Sequence, residues 1–121
     1  MGARGEGIIH TKDGEIHLIF TIRALLSAEK QLGKSIPDVL RSFVTNKLSY
    51  IDLVALLRSG MEAARMDTGT GSRPVSNNDA INVIDEVGYM AVSTPVMEAV
   101  ATVMSYKPDE EIAAEGDSDP N

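Results

Sequence analysis

The chain has no cysteine. That excludes a disulfide framework, a thiolate metal site and a cysteine nucleophile, and it fits a reducing compartment. Long apolar runs are missing too: nothing approaches the roughly 18 residues of a membrane span. Residues 1–7 show no apolar stretch after Arg4 that would serve as a secretion leader. A soluble, unsecreted protein is expected, with no membrane partner. Concentrated basic charge is the third absence. The net charge is −7, and six of the 18 acidic residues fall in residues 108–121, where there is no Lys or Arg. The remaining body carries 11 basic residues scattered among its acids. Phosphate backbones are bound by clustered Lys and Arg, so no nucleic-acid partner is expected.

What is present reads as one domain of α+β class, mainly α, over residues 1–107. An N-terminal β-hairpin (7–20) precedes five short helices (about 21–33, 35–46, 49–66, 77–91 and 95–106), and a disordered acidic tail (108–121) follows. Two β-branched runs flank Asp13-Gly14, a dipeptide suited to a type I′ turn. With those two residues as the loop, His10 pairs with His17 and Ile9 with Leu18. One face then carries Ile9, Ile16, Leu18 and Phe20; the other carries Ile8, Ile19 and both histidines. From Thr21 the apolar period changes to that of a helix, with Ile22, Leu25, Leu26 and Leu32 facing inward and Gly33 as the stop. Ser35 with Asp38 and Ser49 with Asp52 read as capping boxes. They open one helix with the stripe Ile36, Val39, Leu40, Phe43 and Val44, and another with Tyr50, Leu53, Val54, Leu57, Met61 and Ala64. Residues 67–75, with Gly69, Gly71 and Pro74, read as a mobile connection. Ser76 to Asp79 caps a fourth helix with Ala80, Val83, Ile84, Val87 and Ala91 inward, and Thr94-Pro95 opens the fifth.

Catalytic and metal-binding groups do not converge. His10 and His17 share a strand face, but two imidazoles need a third or fourth ligand to hold zinc, and Glu15 sits at the exposed turn. The Gly69/Gly71/Arg73 segment follows a helix and lacks the ending of a phosphate-binding loop. Asp85 and Glu86 are adjacent on a helix and diverge by about 100°, which does not suit a shared proton. A helix-turn-helix DNA reader would need basic and amide side chains on its recognition helix, whereas the third helix balances Asp52 and Glu62 against Arg58 and Arg65. No cofactor, metal or catalytic residue is expected, and no enzymatic activity. The fifth helix has Glu98 as its only charge, and apolar side chains fall beside the core stripes. Ile51, Leu56, Met97, Ala101 and Met104 are therefore the candidate partner-binding residues. Partner surface and ordinary apolar exposure both account for them at this point.

Three features occur in order: the Asp13-Gly14 hairpin; residues 20–40, FTIRALLSAEKQLGKSIPDVL; and residues 48–61, LSYIDLVALLRSGM. The spacings E-x-x-L-G-x-S and L-S-x-x-D-L-x-x-L-L-x-x-G within them resemble the tail assembly chaperone family of long-tailed bacteriophages and gene transfer agents. The resemblance covers residues 5–104, and its motifs are capping and packing patterns rather than chemical signatures. It implies a non-enzymatic homo-oligomer in the host cytoplasm that binds the tape measure protein and keeps it soluble. Such a protein hands its client to the tail tube protein and is absent from the finished virion. A structural tail or head-tail connector component, or a small DNA-binding regulator, are the competing expectations.

Overall fold

Two strands and five helices follow one another in the computed structural model, which describes residues 2–69, 71 and 73–108. The order is β1 (Arg4–Thr11), β2 (Gly14–Thr21), α1 (Ile22–Leu32), α2 (Ile36–Val44), α3 (Tyr50–Thr68), α4 (Asn77–Val87) and α5 (Tyr89–Met104). The class is α+β, mainly α, as expected. The acidic segment 109–121, expected to be disordered, lies outside the described residues.

The hairpin keeps the predicted faces but shifts its register by two residues. Ile9 pairs with Ile16, Gly7 with Leu18 and His10 with Glu15. The loop is Lys12-Asp13, and neither residue takes a positive φ, so this is not the type I′ turn that Asp-Gly suggests; Gly14, at φ +147°, follows the loop. Thr11 Oγ1 closes the turn, accepting from the Asp13 N–H at 3.3 Å and donating to the Gly14 carbonyl at 3.2 Å. A two-residue shift preserves side-chain parity, which is why the faces survive. His10 and His17 do not pair with each other, and both flank Glu15 at 3.6 and 3.7 Å.

β1 starts at Arg4, three residues before the predicted boundary. The added residues matter because β1 lies directly on α5: a Cβ on Gly5 would collide with the Ala99 carbonyl, and one on Gly7 would sit 3.2 Å from the Pro95 carbonyl. β2 packs on α3, where Phe20 fills the space left by Gly60, so that a Cβ there would come within 2.5 Å of the ring.

The serine caps are placed as expected. Ser35, Ser49 and Ser76 accept from the N–H groups of Asp38, Asp52 and Asp79. Only Ser76 and Asp79 complete the reciprocal box. The other two acids are diverted. Asp38 pairs with Arg41, and buried Asp52 receives Lys34 Nζ at 2.8 Å. Asp79 also holds Arg73, whose guanidinium keeps the carboxyl well below the usual carboxylate range.

Two corrections concern α4 and α5. The predicted fourth helix to residue 91 ends at Val87, because Gly88 breaks the chain at φ +96°. α5 begins at Tyr89, not at Thr94-Pro95, and Pro95 lies inside it. An interior proline removes one helical hydrogen bond, a cost of about 3 kcal/mol that the burial of seven α5 residues offsets. α3 packs mainly on β2 and α5 mainly on β1. Leu53, Leu56 and Leu57 of α3, Val92, Val96, Met97 and Val100 of α5, and Phe20, Leu18 and Ile9 of the hairpin share one buried cluster.

The link between α3 and α4 is tied at its far end, where the Val75 N–H donates to Glu62 Oε1 at 2.8 Å while Arg65 grips both Glu62 oxygens. The Arg65 hydrogen bonds, helped by Val75, hold the Glu62 pKa down to about 2 against the opposing effect of burial. A depressed carboxylate pKa stabilises the fold above the unfolded value, and that stability is lost as pH falls. Glu62→Gln should therefore flatten the fall in stability between about pH 4.5 and 2. The check is the urea midpoint of the two proteins at pH 6 and pH 3; parallel losses would disprove this role for Glu62.

Candidate interaction surfaces

An apolar groove lies between the start of α3 and the outer side of α4. Its floor is Val54 and Ile84, its walls are Tyr50, Ile51 and Ile81, and its volume is about 510 Å³. Tyr50 is held edge-on against Tyr89, with ring centroids 5.1 Å apart, and the Tyr89 hydroxyl donates to the Leu48 carbonyl at 2.7 Å. Tyr89 thus backs the Tyr50 side of the groove. One end of the groove is closed by a polar relay in which Arg58 donates to Gln31 and Gln31 donates to Asn77, both at 2.9 Å. At the other end Asp85 is the acidic lining residue, and it makes no ion pair among the described residues. Its neighbour Glu86 is occupied by the Lys12 N–H at 3.1 Å. An apolar groove with a satisfied polar end suits a helix bearing aliphatic anchors.

A second concavity, of about 260 Å³, lies between α1, the start of α2 and the end of α5. Ile22, Leu26, Ile36, Pro37 and Met104 contribute to it.

The five candidate residues divide between surface and interior. Ile51 is 80% exposed and lines the α3–α4 groove; Met104 lines the concavity beside α1; Ala101 is half-buried. Leu56 (0% exposed) and Met97 (1%) belong to the core and offer no surface to a partner. A single apolar stripe is a sound guide for a helix on the outside of a domain, but α3 and α5 are covered on several sides, so residues at the edge of their stripes are buried as well. The near absence of charge along α5 is the signal that could have placed Met97 inside. The reverse error affects Ile22, Leu26, Val44 and Tyr50, which the periodicity assigned to the core and which are exposed. Ile81 was not singled out at all.

His10 and His17 are mostly exposed, and among the described residues no group of three or more His, Asp or Glu side chains could hold a metal ion. No helix among the described residues is long and apolar enough to cross a membrane. The Ser93 hydroxyl is buried without a hydrogen-bond partner among the described residues. The chain matches no protein-family model, no curated protein and no solved structure.

Proposed function

We propose that this chain is a tail assembly chaperone that binds an apolar helical client, the tape measure protein, keeps it soluble in the host cytoplasm and releases it to tail tube protein during assembly. The observation that carries the reading is the exposed groove of Tyr50, Ile51, Val54, Ile81 and Ile84, whose apolar lining suits the face of a client helix. The resemblance in residues 20–40 and 48–61 supplies the identity of the client. Groove burial contributes about 25 cal/mol per Å² of apolar surface, and much of this is offset by the cost of association, so each contact is weak and reversible. Repetition along a long client then gives avidity.

Co-expression with the tape measure protein of the same particle tests this. The two should co-purify, and the chaperone should be missing from purified particles by mass spectrometry. Failure to co-purify, or a fixed copy number in the particle, would refute the proposal; the second result would instead favour a structural connector.

A further inference from the structure

Asp85 stands where its own helix does not favour it. α4 has Asp79 in its first turn, where the helix dipole welcomes negative charge, but it also has Asp85 and Glu86 in its last turn, which holds no basic residue. Two of these three acids are compensated. Asp79 receives the Arg73 guanidinium on both oxygens, at 2.9 and 3.1 Å, and Glu86 accepts the Lys12 N–H at 3.1 Å. Asp85 makes no hydrogen bond and no ion pair among the described residues. It is also the one charged side chain among the described residues that line the α3–α4 groove. Asn77, Ile81 and Asp85 recur every four residues and so form one stripe along α4, about 12 Å long at 1.5 Å per residue. The Gln31–Asn77 hydrogen bond occupies one end of that stripe, and the unpaired carboxylate stands at the other.

We infer that Asp85 selects the occupant of this groove: an amphipathic helix that carries a Lys or Arg one turn beyond the aliphatic anchors meeting Ile51, Ile81 and Ile84. The inference rests on the reading of the groove as a helix-binding site and adds the charge that its occupant must bring. In the free chain the Asp85 carboxylate is exposed to water. A helix laid in the groove strips part of that water away, and without a cation of its own it leaves a partly desolvated, unpaired charge. A basic residue at that point replaces the penalty with attraction, and an acidic one adds repulsion, so the same carboxylate both favours one occupant and rejects another. The C-terminal dipole of α4 deepens the negative potential there. A Lys or Arg stem can lie along exposed Ile81 while its head reaches Asp85, one turn further on.

The probes are labelled, alanine-based peptides of about 18 residues, beyond the length at which isolated helices are marginal. Each carries leucine at i, i+3, i+4 and i+7, with Lys, Gln or Glu placed one turn before and one turn after that stripe. Either direction of binding then brings the variable residue to Asp85. Fluorescence anisotropy with the full chain should show the Lys peptide binding about fivefold more tightly than the Gln peptide at low salt. The ratio should fall toward one at about 1 M salt, where the Debye length is about 3 Å. Asp85→Asn should bind the Lys and Gln peptides equally and should melt no lower than the wild type, since it removes a charge that the end of α4 does not favour. Asp85→Lys should reverse the order and prefer the Glu peptide. Equal affinity of the wild type for the Lys and Gln peptides would overturn this inference and leave the groove as a helix site; binding of none of the three would overturn both. Asp85→Asn melting well below the wild type would assign the residue to the fold and overturn it. Wild-type self-association that Asp85→Lys abolishes would put a second copy in the groove and overturn it too.

Discussion

Gly5→Ala should lower the stability of the fold by about 3 kcal/mol or more, an unusually large effect for adding one methyl group. The added carbon would run into the Ala99 carbonyl of α5, which is backbone in the middle of a buried helix and cannot rotate away as a side-chain tip can. Relief requires β1 to lift from α5, which would loosen the buried cluster that Ile9 and Leu18 share with Val96 and Val100. For a domain of this size, a loss of about 3 kcal/mol lowers the melting temperature by more than about 10 °C. Gly2→Ala is the control, because nothing lies within 4 Å of a Cβ at that position. Thermal unfolding followed by circular dichroism makes the comparison. If Gly5→Ala melts within about two degrees of the wild type, the close approach of β1 to α5 is wrong.

The second large effect concerns binding. Ile51 and Ile81 stand on opposite walls of the α3–α4 groove, and both are exposed in the free chain. Replacing each with Asp should cost little folding stability, since substitutions on an exposed surface usually stay within about 0.5 kcal/mol. At residue 51 the new carboxylate also falls in the first turn of α3, where the helix dipole favours negative charge. A client helix would lose two aliphatic contacts, each worth about 1.5 kcal/mol or more when buried. The double variant should thus bind about a hundredfold more weakly. Titration of a labelled client segment, with circular dichroism to verify folding, reads the difference. A folded double variant with unchanged affinity would remove this groove from the account.

Much of the architecture was legible because it is written in local chemistry. Ser35, Ser49 and Ser76 start helices, Gly33 ends one, and alternation assigns the hairpin faces even though the register was misjudged by two residues. Tertiary context decided the rest. Thr94-Pro95 has the look of a helix start, yet Gly88 with its positive φ supplies the actual break, and burial on both sides carries α5 through its proline. Gly5 lies before the hairpin expected at 7–20, yet its small size serves a backbone contact with a helix more than 90 residues later in the chain. The candidate surface was legible at Ile51 and Met104. It was misread at Leu56 and Met97, because a sequence shows how apolar a helix is and not how many neighbours cover it. Tyr50, Ile22 and Leu26 show the converse: each falls on an apolar period and is nonetheless exposed.

The measurement closest to the central claim is the solubility of the tape measure protein when co-expressed with the wild-type chain or with the Ile51→Asp, Ile81→Asp variant. A groove that shields an apolar helical client predicts soluble protein with the wild type and aggregate with the folded variant. Equal solubility in the two cases would contradict it.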